Sequence, residues 1–99
     1  MIELGGNIKL SGFNELEPAM LVVVKKMVGN YAKKMTDHST EFKELNLHLK
    51  EVHKTEKNSK YEIHARLDAD KLYAAEVIDF NLFFAIDKVL SKIMHEIKR

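Results

Sequence analysis

The residues able to do chemistry here are five histidines, fifteen acids and sixteen lysines or arginines; there is no cysteine. Without a thiol there is no disulfide framework and no thiolate nucleophile, which fits a reducing compartment. His48 and His64 alternate out of two apolar segments, Leu45–Leu49 and Tyr61–Leu67, so they are expected to be near neighbours across two strands. Zinc wants three or four ligands in a closed shell. No His or Cys spacing motif supplies them, so neither a metal nor any other cofactor is expected. His38 and His53 read as loop or strand-end residues. Carboxylates pair at Asp68/Asp70 and at Glu76/Asp79. Acid–base catalysis needs a carboxylate in a partly desolvated cleft opposite a second group. Asp68 and Asp70 instead fall in an expected turn, where Asp is favoured for local hydrogen bonding. Ser11, Ser39, Ser59 and Ser91 lack a nucleophile-elbow context. Gly5-Gly6 lacks the phosphate-loop pattern. The chain therefore reads as a non-enzyme with no small-molecule substrate.

Cations carry the stronger signal. Net charge is only +1, but it is segregated. From Pro18 to Thr36 there are four lysines and no acid, and Lys88 to Arg99 sums to +3, leaving −6 for the rest. Segregation of this kind makes a local field. Lys25, Lys26 and Lys33 are expected on the outward side of a first helix. Lys88, Lys92, His95 and Arg99 follow a 4-3-4 spacing on a second, with Lys98 at the edge of that stripe. These eight residues are the candidate nucleic-acid contacts, because structured RNA is bound largely through phosphates. The same lysines would also serve as the solvated face of any soluble helix.

The elements that must position these residues follow from apolar periodicity. Ile2, Leu4, Ile8 and Leu10 alternate as one strand, with Gly5-Gly6 as a bulge or bend. Asn14 and Glu17 form a capping-box-like pair ahead of a helix running to about Met35, with Pro18 in its first turn. Its apolar stripe is Leu16, Met20, Val23, Val24, Met27, Tyr31 and Met35. Leu45–Leu49 and Tyr61–Leu67 make a hairpin around a turn at Lys54–Lys60, and Tyr73, Ala75 and Val77 face inward from a last strand. Asp79 or Asn81 caps the final helix, which buries Phe83, Ile86, Leu90, Ile93 and Ile97. Every element has a single apolar side. The expected fold is thus α+β, of βαβββα order, with two helices on one face of a four-stranded sheet, as a single domain over residues 1–99. The two helices' lysines are expected to form one composite basic surface. Asn46, His48, Lys50, Glu62, His64, Arg66 and Glu76 should line the wet sheet face, which lacks the aromatic platform of an RRM. The longest apolar run, Ala19–Val24, is too short to span a membrane, and the N-terminus carries no signal-peptide pattern.

Several stretches resemble the bacterial ribosome hibernation-promoting factor family, also called ribosome-associated inhibitor proteins. Tyr73, Ala75 and Val77 look like its last strand, and Leu82-Phe83-Phe84-Ala85-Ile86-Asp87 resembles the opening of its final helix. Lys92-Ile93 matches a basic–aliphatic pair on that helix, and Arg99 falls where the family carries another basic residue. Ile8, Leu10 and Gly12 resemble the ending of its first strand. His95 and Glu96 depart from the usual arginine and glutamine, and the lysines of the first helix do not align one for one. The resemblance implies a short-form, cytoplasmic, RNA-binding factor. Such a factor would sit on small-subunit ribosomal RNA and repress translation, or protect resting ribosomes, under stress. A reading from a different class is a protein-interaction or homodimerisation domain, using the open sheet face or an edge strand.

Overall fold

The structure is a computed structural model and describes residues 1–38, 41–54 and 59–98, with the backbone alone for 51–54 and 59. Its first surprise is at the N-terminus. The expected single strand is two: β1 (Ile2–Leu4) and β2 (Ile8–Ser11) pair antiparallel, with Ile2 opposite Leu10 and Leu4 opposite Ile8. Gly5 and Gly6 take φ of +63° and +81°, so the chain reverses there instead of bulging. Both residues adopt the left-handed region at no steric cost. Alternation could not separate the two cases. Residues opposite one another in a hairpin share a sheet face, and Leu4 and Ile8 also share one in a continuous strand.

Helix α1 (Pro18–His38) starts later than the Asn14 pairing suggests. The Leu21 N–H donates to the Glu17 carbonyl (3.0 Å), which puts Glu17 at the cap and Pro18 at the first helical position. Proline suits that position because its missing N–H would have no helical partner there. Asn14 lies in a preceding turn closed by the Leu16 N–H on the Phe13 carbonyl (3.2 Å). Val24, Val28, Ala32 and Met35 are buried, whereas Val23, expected in the stripe, is 43% exposed. Val23 stands about 100° from Val24, on the side of the stripe away from Val28, so it falls outside the core-facing arc that Val24, Val28, Ala32 and Met35 share. The helix also runs past Met35, with the Thr36 hydroxyl on the Ala32 carbonyl (2.9 Å).

The described strands form one five-stranded mixed sheet in the order β1-β2-β3-β4-β5, with β3 (Glu44–Lys54), β4 (Ser59–Asp68) and β5 (Leu72–Asp79). The element order is therefore ββαβββα, and the expected four strands become five. Only β2 and β3 are parallel, and α1 makes the crossover that a parallel pair requires. The β3–β4 hairpin is longer than its alternation, with a register shift between Glu51 and His53. The turn expected at Lys54–Lys60 lies partly outside the described residues.

Leu10, Leu45, Leu47, Ile63 and Leu67 are buried on one sheet face. Val24 and Met35 of α1, together with Ile86, Leu90 and Ile93 of α2 (Leu82–Ile97), complete the same core. Both helices therefore lie on that face, as expected. Asn81 caps α2 by accepting the Phe84 N–H (3.0 Å), and Asp79 accepts the Asn81 N–H (3.0 Å), so both candidate caps take part. Gly12 (φ +80°) ends β2 where a Cβ would meet the Leu49 backbone carbonyl, which fixes it as glycine.

Candidate nucleic-acid interface

The lysines expected to form one outer stripe on α2 do not behave alike. The Lys88 amine is 2.6 Å from Asp79 at the end of β5. That ammonium, followed by the Asn81 N–H, holds the Asp79 carboxyl below its ordinary pKa. The Lys92 amine donates to the Glu76 backbone carbonyl of β5 (3.3 Å). Both side chains are exposed, yet both lean onto the sheet edge and share a depression with Glu62, Glu76 and Asp87. Acids thus interleave the stripe, and the expected single composite basic surface is divided. Cβ atoms on α2 set the direction, but the end of β5 supplies the counter-charge, and no periodicity reveals that.

On α1, Lys25, Lys26 and Lys33 are all exposed. Lys26 and Lys33 stand about 20° apart around the helix and crown it, whereas Lys25 lies about 80–100° around from them on one flank. Among the described residues none of the three has an ion-pair partner. Tyr31 faces α2. Its hydroxyl donates to the Asp87 carboxylate (2.6 Å) and lies 2.9 Å from the Ser91 hydroxyl. Burial, with the Asp87 bond behind it, raises its pKa.

Lys34 sits 5.2 Å from the centre of the Tyr31 ring. Tyr31, Lys34, Ser91, Met94, His95 and Lys98 line a groove between the two helices. Lys98 therefore belongs with α1, while His95 borders both this groove and the depression that holds Lys88 and Lys92. Arg99 lies outside the described residues. Sequence reasoning missed Lys34 as a site residue and assigned Tyr31 to the core. The three-residue step from Tyr31 to Lys34 on one helix side was the available signal.

The opposite, wet sheet face carries the expected polar residues. His48 and His64 are directly opposite one another. His64 contacts Glu62 (2.7 Å) and Glu76 (3.3 Å), and His48 contacts the Ser11 hydroxyl (2.8 Å). Among the described residues no group of three or more His, Cys, Asp or Glu is arranged to hold a metal ion. Asp70 accepts from the Tyr73 hydroxyl (3.3 Å), the local role expected of a turn residue. Not foreseen is how apolar the β5 end of this face is: Leu72 is 53% exposed, Ile78 57%, and Phe80, just beyond the strand, 63%.

The fold is similar to that of the Thermus thermophilus Protein Y N-terminal domain. The TM-score is 0.55, 93% of each chain is covered, and 21% of residues are identical. At that identity the likeness is one of fold. No family model matches the sequence, and no curated protein matches it. The shared fold agrees with the architecture that the family resemblance implied, the additional N-terminal strand aside. Within it, this chain sets a helical layer crowned by lysines against a sheet face of mixed polarity. No helix among the described residues is long and apolar enough to cross a membrane.

Proposed function

We propose that this chain is an RNA-binding, ribosome-associated factor that occupies the small subunit and represses translation or protects resting ribosomes. The observation carrying this reading is the crest of α1. Lys26 and Lys33 project there without a counter-charge among the described residues, and the inter-helix groove adds Lys34 and Lys98 on the flank of the same helical layer. Ammonium groups so displayed suit phosphate oxygens, and each contact releases counterions. The likeness to the Protein Y domain supports the ribosome-associated reading at the level of fold. The proposed contacts are Lys25, Lys26, Lys33, Lys34, His95, Lys98 and Arg99. Lys88 and Lys92 contribute less, since their amines are already held by β5. The action is occlusion, with no reaction and no cofactor.

Co-sedimentation with isolated small subunits over a salt series tests this. The parent chain is expected to pellet with subunits at low salt and to wash off at high salt. Lys26→Glu with Lys33→Glu should weaken binding and flatten the salt slope by roughly 0.7–0.9 per phosphate contact removed. Parent-like binding by that variant, with the fold intact, would reject the crest as the RNA site. Glu76 is a poor charge control because it borders Lys92, so Glu3→Gln, exposed in the middle of β1, is the better one.

A further inference from the structure

Strand β5 ends the sheet, and among the described residues no further strand pairs with its outer edge. The backbone directions follow from two hydrogen bonds. The Leu45 N–H donates to the Asn7 carbonyl, so odd residues of β3 point toward β2. Backbone direction alternates along each strand; β4 pairs with β3 from Glu44 to Glu51, and with β5 throughout, even with even and odd with odd. Odd residues of β5 therefore bond β4, and Leu72, Ala74, Glu76 and Ile78 direct their N–H and C=O groups outward. The Lys92 amine on the Glu76 carbonyl confirms that direction. The same four side chains lie on the wet face, where Leu72 and Ile78 are exposed.

We propose that β5 pairs antiparallel with β5 of a second copy of this chain, about a two-fold axis at Ala75. The sequence of the edge selects both the partner and the register. With Ala75 opposite itself, Leu72 meets Ile78, Ala74 meets Glu76, Tyr73 meets Val77, and Lys71 stands opposite Asp79. Leu72 and Tyr73 face Ile78 and Val77, the small Ala74 leaves room for Glu76, and a cation faces an anion at each end. Moving the axis to Glu76 sets that glutamate against its own copy, and moving it to Ala74 sets Leu72 against Glu76. Like charges directly opposite are destabilising, while apolar and opposite-charge pairs are favourable. The pairing joins two sheets into one, with both helical layers on the same side. Helix α2 packs over β4 and β5. The two α2 helices would thus stand about two strand spacings apart, roughly 10 Å, an ordinary helix-packing distance. Lys92 acts as a guard on this edge, because its amine occupies an acceptor that the second copy needs. Lysine is a common means of blunting an open edge.

The test is sedimentation velocity of the full chain over a concentration series without RNA, so that it stands apart from the ribosomal reading. The parent is expected to show a dimer that grows with concentration. Ala74→Pro removes an outward N–H and leaves the β4 ladder whole. The symmetry removes it twice, so self-association should weaken about tenfold or more. Ile78→Lys should abolish the dimer with the melting temperature kept. Lys92→Met frees the Glu76 carbonyl and should tighten it. Because the chain has no cysteine, Ala75→Cys offers a clean register probe. Opposed residues in a non-hydrogen-bonded pair bring their Cβ atoms close enough for a disulfide, so this variant should cross-link under oxidation faster than Ala74→Cys. A chain that stays monomeric at every concentration overturns the proposal. So does a dimer indifferent to both Ala74→Pro and Ile78→Lys, or equal cross-linking at Ala74 and Ala75.

Discussion

The hydroxyl of Tyr31 on α1 lies 2.6 Å from the carboxylate of Asp87 on α2, and this bond locks one helix beside the other. Tyr31 also lines the groove that carries Lys34 and Lys98. The bond is half exposed to solvent, so Tyr31→Phe should cost only roughly 1 kcal/mol of stability by chemical denaturation. RNA binding should fall by more than that loss of stability explains, because the groove's two walls would no longer be held in register.

The same tyrosine predicts an alkaline limb. Its pKa is raised in the folded state, chiefly by burial and then by Asp87. The unfolded chain therefore releases this proton first. The stabilisation is complete below the ordinary tyrosine pKa of about 10 and is lost as pH rises through the folded value. Tyr73, raised by burial and by Asp70, acts in the same direction. Melting temperatures measured upward from neutral pH should fall in this range, and the fall should be shallower in Tyr31→Phe.

An acid limb follows from Asp79. Its folded pKa is lowered, first by Lys88 and then by the Asn81 N–H. Its contribution is present above the ordinary aspartate pKa of about 3.9 and is lost as pH falls through the folded value. Glu44, lowered by Asn46 and Lys9, adds to the same limb. Asp79→Asn should flatten the acid side of the melting curve, and an unaltered slope would show that the Lys88 contact is not held in solution.

Two packing tests bear on the fold itself. Leu90 is fully buried beneath α2, so Leu90→Ala should cost on the order of 2–5 kcal/mol through lost contacts and the cavity left behind. Gly12→Ala combines a positive φ with a collision against the Leu49 carbonyl. The backbone conformation alone should cost about 1–3 kcal/mol. Equilibrium denaturation measures both, and a neutral result at Gly12 would displace the close approach of β2 to β3.

Periodicity by itself determined the two layers. Leu45, Leu47 and Leu49, and Ile86, Leu90 and Ile93, can be buried together only if strand and helix each turn one face to a common core, and that constraint is local to each segment. It also put His48 and His64 on the same wet face and kept Lys26 and Lys33 outward. Three things were decided only in three dimensions. The N-terminal reversal was hidden because a three-residue hairpin loop preserves the parity of Leu4 and Ile8, so one strand and two strands share a single pattern. The helix start moved from Asn14 to Glu17 because a capping signal in sequence does not say which nearby turn uses it. The division of the lysines depended on what stands opposite them. Lys88 and Lys92 meet the carboxylate of Asp79 and the carbonyl of Glu76, each brought from a different element by the docking of α2 on β5. A charge's field depends on its through-space neighbours, and for residues 9 and 16 positions apart the chain order carries no record of that distance.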